Sequence, residues 1–307
     1  MKRKIEFNKT YFDIEFNIYT SKNNINNEDN KNSKLKKIDS LVFGGGGMKG
    51  INFAGVLKGL DNYGILKQIK NFLGVSAGSI VSFMYLAGYC TDDIIKICLK
   101  MDFSKLASPK IKNLYYGSLD DGSRMNKILE RFLILKKIDP KINLKNFYNL
   151  TNKKFILTVY NSTKNKIEYI DYTNYPDLPV TTAIRMSSAI PVYYKPIKYN
   201  NEIFRDGGIG DNFPINYFKD FNTVIGFKFY AELIKDNPND NLESSIINLI
   251  NSIQLRELTS YIDKKKYYLD ITSKVGVLEF GANYDIKLKT IRSSYLDTLK
   301  YLKLRFN

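Results

Sequence analysis

Ser76 lies in the run Gly74-Val75-Ser76-Ala77-Gly78, and the 307-residue chain contains no histidine. Gly-x-Ser-x-Gly is the pattern that sets a serine on a sharp strand-to-helix turn, with its hydroxyl exposed at the top of a sheet. A serine hydroxyl becomes a competent nucleophile only when a neighbouring base takes its proton. With histidine absent, that base is a carboxylate, a lysine or a tyrosine, or else Ser76 is a small residue packed in a tight turn. The best-placed candidate is Asp206, in Arg205-Asp206-Gly207-Gly208. It ends a strand pattern, and the functional groups of α/β sheets collect at strand ends. An aspartate has a pKa of ~3.9 in water, so it takes a serine proton only when shielded from solvent. Asp-Gly is also a common turn pair, and on these residues alone that reading stays open.

Acyl transfer further needs hydrogen-bond donors aimed at the developing oxyanion. The loop Gly44-Gly45-Gly46-Gly47-Met48-Lys49-Gly50 offers backbone N–H groups with no side chains in the way. It opens a helix pattern, where the helix dipole favours negative charge. Such a loop suits an oxyanion or a phosphate. Gly45-x-Gly47-x-x-Gly50 satisfies the spacing of a dinucleotide fingerprint. That fingerprint wants an acid roughly 20 residues further on, where Lys70 and an apolar strand stand instead. A P-loop fails because Gly50, not Ser or Thr, follows Lys49.

The elements that must position these groups are readable from periodicity. Leu41-Val42-Phe43 is an uncharged apolar run, as expected of a buried parallel strand. Phe53, Val56, Leu57 and Leu60 then recur at helical spacing, and Gly64 ends the helix. Phe72-Leu73 forms the strand before Ser76, and Ile80 to Leu86 the helix after it. Thr91 reads as the N-cap of the next helix, with Asp92 and Asp93 at its positive end. Strands are expected over Lys154–Tyr160, Lys166–Asp171 and Thr223–Phe229, with a helix over Val180–Ser188. A hairpin is expected from Ile197–Tyr199 to Ile203–Arg205 through Asn200-Asn201. Two more helices are expected over 242–263 and 286–304. This order is α/β, with a mainly parallel central sheet in a three-layer α/β/α arrangement.

Hydrophobic residues make up 44% of the chain, enough for a sizeable core, and the formal net charge is +16. A basic surface attracts anionic lipid or nucleic acid, although lysine is spread along the whole chain. Cys90 and Cys98, eight residues apart in one helical region, stand ~12 Å apart and cannot pair. They read as buried thiols. The start of the chain has basic residues with no apolar stretch behind them, so no signal peptide is expected. The uncharged run over 71–91 is interrupted by glycines and serines, and reads as strand, turn and buried helix rather than a membrane span.

The motifs occur in one order, and together they resemble the patatin-like phospholipases. Leu41 to Gly50 resembles that family's glycine-rich oxyanion segment, continued by Ala54-Gly55-Val56-Leu57. Gly74 to Ser79 resembles its nucleophile motif, followed by Leu86-Ala87-Gly88-Tyr89. Ser187-Ser188-Ala189-Ile190-Pro191 resembles a third block. Asp206-Gly207-Gly208, with Asn212-Phe213-Pro214, resembles the family's Asp-Gly-Gly/Ala block. The resemblance covers roughly 38–230 and implies a Ser-Asp dyad hydrolysing fatty-acyl esters of phospholipids. Ser76 would be the nucleophile, Asp206 the base, and Gly45, Gly46 and Gly47 the oxyanion hole. Lys49 stands where many members carry arginine. It could contact an anionic headgroup as a point charge, but without arginine's fork.

The organisation expected is a polar, partly disordered extension over 1–37, a catalytic domain over 38–230, and a helical part over 231–307 packed on it. No cofactor or metal is expected, nor a nucleic-acid partner, and lipid hydrolysis should not need calcium. A cytoplasmic or membrane-peripheral location is expected. The last helix carries Leu288, Ile291, Tyr295, Leu299 and Leu302 among Lys287, Lys289, Arg292, Lys300, Lys303 and Arg305. That pattern fits either an anionic membrane surface or packing on its own domain. The alternative functions are a catalytically idle lipid- or protein-binding module on the same scaffold, or a dinucleotide-binding enzyme.

Overall fold

A computed structural model describes residues 37–106, 109–110, 115, 117–230, 245, 248, 252 and 265–306. The extension over 1–36 lies outside the described residues. So, save for isolated positions, does the helix expected over 242–263.

The main sheet has the order β10-β9-β1-β2-β4-β8-β7, with β5 also paired to β4. Its strands are β1 (Ser40–Phe43), β2 (Asn71–Gly74), β4 (Lys154–Asn161), β5 (Lys166–Ile170), β7 (Ile197–Tyr199), β8 (Glu202–Asp206), β9 (Val224–Phe229) and β10 (Tyr268–Ile271). The ladders from β10 through β9, β1 and β2 to β4 are parallel. β5, β8 and β7 are antiparallel additions. β3 (Ser118–Asp120) and β6 (Val192–Tyr194) form a separate parallel pair.

Leu41 and Phe43 enter the larger core and Val42 the smaller one on the other face. Burial on both faces is why this strand reads as a continuous apolar run. On the larger side lie α1 (Asn52–Asn62), α2 (Ala77–Leu86), α3 (Thr91–Lys100), α4 (Ser123–Leu135), α5 (Leu144–Thr151), α6 (Val180–Ser187) and α7 (Tyr284–Phe306). On the other side Phe213 and Ile215 pack with Val42, Leu73, Ile156 and Val224 of the sheet. The α/β class and the mainly parallel sheet are as the sequence leads one to expect. Asn200 and Asn201 both have positive φ (46° and 62°), the conformation a two-residue hairpin turn demands.

β4 is the organising strand. β5 pairs with it over Leu157 to Asn161, β2 over Lys154 to Leu157, and β8 over Val159 to Asn161. A strand has two edges, and both β2 and β8 overlap β5 in register. They therefore share the edge opposite β5. β2 runs up that edge and stops at Gly74, opposite Leu157; β8 runs down it and stops at Asp206, opposite Val159. The two strand ends meet head to head.

Some local expectations need correction. Helix α3 begins one residue earlier than its Thr91 cap implies. Cys90 is the N-cap, and its Sγ accepts from Asp93 N–H at 3.4 Å. Cys90 is therefore exposed, and only Cys98 is a buried thiol. The apolar stripe of α7 is spent on its own domain: Ile291, Tyr295 and Leu302 are buried. Lys287, one of the basic residues interspersed in that helix, is buried too, and donates to Met101 O at 2.7 Å.

α7 reaches α1 closely because small residues line the contact. Ser294 Oγ donates to Asn52 O at 2.8 Å. A Cβ on Gly55 would lie 2.1 Å from Ile291 O. That neighbour is backbone and cannot step aside. Gly55→Val is therefore expected to lower stability by about 3 kcal/mol through overpacking, read as a lower urea midpoint. An unchanged midpoint would show that α7 is not held in this register.

Candidate active site

The sharp turn after β2 is built into its glycines. A Cβ on Gly74 would lie 2.6 Å from Ser79 N, and one on Gly78 would lie 2.2 Å from Phe43 O. Only with hydrogen at both positions can strand, turn and helix fold so tightly. Between them Ser76 is forced to φ 51°, ψ −116°. Such a conformation costs a non-glycine residue about 1–3 kcal/mol and persists only where the surroundings over-determine it. Here Gly78 N–H donates to Val75 O at 2.8 Å, and Ser79 N–H to Ser76 O at 2.9 Å. Ser76's own N–H donates to Ser187 Oγ at 3.0 Å.

Asp206 arrives from the opposite direction as the last residue of β8. It is 5% exposed, as is Ser76. Burial raises its pKa to about 6, while the Ser76 side chain and the Gly208 N–H hold the shift down. Gly208 N–H donates to Oδ1 at 2.8 Å. Among the described residues, no donor meets Oδ2 in hydrogen-bond geometry. The structure thus brings Ser76 and Asp206 together, with the hydroxyl close enough to perturb the carboxylate but not aligned on Oδ2. Loose alignment of this kind is common before substrate binds.

The glycine loop packs against the same point: a Cβ on Gly45 would lie 3.5 Å from Ser76 Cβ. Its three expected oxyanion donors are not equivalent. Gly45 N–H already donates to Asn212 O at 3.1 Å, so Gly45 is not a free donor. No described residue engages the N–H groups of Gly46 and Gly47. The same holds for Ala77, at the first turn of α2. Lys49 sits half-buried on the short turn Gly47–Ile51, outside the lining of the cavity described next.

That cavity, of about 120 Å³, has Ser76 in its wall and is almost wholly apolar. Met84, Cys98, Met101, Met125, Phe132 and Phe280 are among the residues lining it. Sequence reasoning missed the α4 wall, since residues 101–153 carry no motif. It also missed Ser187 and Asn212 as contacts of the site, although both lie in blocks singled out for their order. Among the described residues no cluster of acids and cysteines is arranged to hold a metal ion. Nor is any helix long and apolar enough to cross a membrane.

Buried Asp206 has a consequence for stability. Its folded pKa lies above the unfolded ~3.9, so the native state binds the proton more readily. Ionised Asp206 therefore costs stability above pH 6, and the cost fades as the pH falls through about 6 toward 4. Asp206→Asn is expected to raise stability at pH 8 by up to roughly 3 kcal/mol, with almost no gain at pH 4. Thermal melts at the two pH values measure it. An equal effect at both would contradict the assignment of a raised pKa.

Residues 41–219 match the family model of the patatin-like phospholipases. The chain is 35% identical over 189 residues to probable lipid hydrolase 463L of Invertebrate iridescent virus 6, covering 60% of this chain and 64% of that protein. It therefore spans a little under two thirds of that relative's length. Uncharacterized protein R571 of Acanthamoeba polyphaga mimivirus is 27% identical over 289 residues, 87% of this chain and 94% of that one. Among solved structures, VipD from Legionella pneumophila superposes with a TM-score of 0.58 at 16% identity, covering 88% of this chain and 67% of that one.

Proposed function

The chain belongs to the patatin-like phospholipase family, and on that premise we propose that it is a serine lipid acyl hydrolase working through Ser76 and Asp206. The observation that carries this reading is the apolar cavity whose wall includes the strained, buried Ser76, beside a buried carboxylate. A fatty-acyl chain fills such a cavity, and its ester carbonyl is left at the hydroxyl.

Ser76 Oγ attacks the carbonyl carbon as Asp206 takes its proton. Gly46 and Gly47 N–H, with Ala77 N–H, supply the donors for the tetrahedral oxyanion. Collapse breaks the ester C–O bond. The leaving alcohol takes the proton from Asp206, and the acyl group stays on Ser76. Water then attacks the acyl-enzyme with Asp206 again as base, releasing the fatty acid and restoring Ser76. A carboxylate with a pKa near 6 is ionised at neutral pH, yet far more basic than an exposed aspartate. The relative named as a probable lipid hydrolase supports the substrate class. The net charge of +16 favours anionic phospholipid surfaces, and Lys49 is a headgroup contact at most.

Labelling with a fluorophosphonate tests the nucleophile. Wild type is expected to label and Ser76→Ala not to; equal labelling would overturn the assignment. Lipid binding by wild type without fatty-acid release would favour the idle binding module instead. Hydrolysis is expected to persist in EGTA.

Four of the chain's six methionines, Met48, Met84, Met101 and Met125, line the cavity. Flexible thioethers adapt to irregular occupants. Butyrate, octanoate and palmitate p-nitrophenyl esters should therefore all turn over, and Met84→Ile/Met125→Ile should narrow the range. A sharp wild-type preference for one length would contradict a plastic cavity.

A further inference from the structure

The ladder along β4 is interrupted where β2 and β8 meet. Gly74 pairs with Leu157 and Asp206 with Val159, so neither strand extends past the other's end to hold it in place. The gap is nonetheless gripped from both sides by one short segment. At one end, Ser187 Oγ accepts from Ser76 N–H at 3.0 Å and shares a 2.8 Å hydrogen bond with Ser79 Oγ. At the other, two residues on, Ala189 O accepts from Asp206 N–H at 3.0 Å. Ser187 is fully buried at the last residue of α6, and α6 packs on both β4 and β8. The packing of α6 on β4 therefore anchors the segment apart from the two residues it holds.

We propose that Ser187–Ala189 is a bracket that sets the distance between Ser76 and Asp206, with Ser187 a positioning residue for the reaction. The inference rests on the Ser76–Asp206 reading of the site. Ser187 touches no reacting atom. Its hydroxyl fixes the backbone of Ser76 in a conformation the serine would otherwise leave. The chain then carries that constraint across two residues to the backbone of Asp206. Without the hydroxyl, Ser76 N–H is left buried and unpaired, a loss the strained turn can relieve only by moving. Ser76 Oγ would then move away from the carboxylate. Among the described residues, burial raises the pKa of Asp206 and the Ser76 side chain and Gly208 N–H lower it, with no charged side chain contributing, so loss of the Ser76 contact moves the titration upward.

The test compares wild type, Ser187→Ala and Ser187→Thr, which keeps the hydroxyl. The readouts are kcat and KM for p-nitrophenyl octanoate, and the titration of Asp206 by carbon NMR on ¹³C-aspartate-labelled protein, assigned with Asp206→Asn. The bracket predicts that Ser187→Ala lowers kcat by about ten- to a hundredfold with KM little changed. It also predicts an Asp206 titration that rises above about 6, with both effects largely reversed in Ser187→Thr. A folded Ser187→Ala protein with wild-type kcat and an unmoved titration would overturn it. So would a lower melting temperature as the sole change. If wild type neither hydrolyses the ester nor labels at Ser76, the hydrolase reading fails. The Asp206 titration then still decides the bracket, because it needs no turnover.

Discussion

One edge of one strand carries the whole arrangement. β4 accepts β2 along its first half and β8 along its second, in opposite directions. Two residues 130 apart in sequence are thereby delivered to the same point. The parallel sheet alone would not do this. Its strands all run the same way, so their ends lie side by side and never face one another. By running β8 down the edge that β2 runs up, the fold places the ends along one line, with only Thr158 between their partners. The neighbouring elements serve that meeting point. The glycine loop closes over it, Asn212 ties that loop to the turn after Asp206 by accepting from Gly45 N–H, and α2, α3 and α4 enclose the apolar cavity that leads to it.

The chain contains no histidine, so the proposed mechanism has the Asp206 carboxylate take the Ser76 proton directly. An aspartate in water is too weak a base for that, but burial supplies the correction by raising its pKa. The cost is carried by the rest of the fold: a strained serine and a desolvated carboxylate side by side, offset by a large core on one sheet face and a smaller one on the other.

Much of this was legible in the residues, and what was not has physical causes. Gly74 and Gly78 are dictated by contacts within a few residues or with the adjoining strand, so a short pattern announces the turn. The apolar stripe of α7 was legible as a helix face. Where it packs was not, because Gly55 and Ser294 declare their contact only when both helices are placed. Lys287 reads as a solvated charge in any helical projection, and is buried because the Met101 carbonyl lies within its reach. Gly45, Gly46 and Gly47 look alike in sequence. Asn212, 167 residues away, takes the first of their N–H groups. The head-to-head meeting of β2 and β8 was out of reach for the same reason: strand patterns give existence and face, while the choice of edge is made by tertiary register.

The central claim is that Asp206 is the base for Ser76, and the pH dependence of Ser76 phosphonylation tests it most directly. With a fluorophosphonate in excess, the wild-type rate should be flat above neutrality and fall about tenfold per pH unit below about 6. Asp206→Asn should label slowly, with no break in that region. A wild-type rate level from pH 5 to 8, or an Asp206→Asn protein that keeps both the rate and the break, would contradict the account.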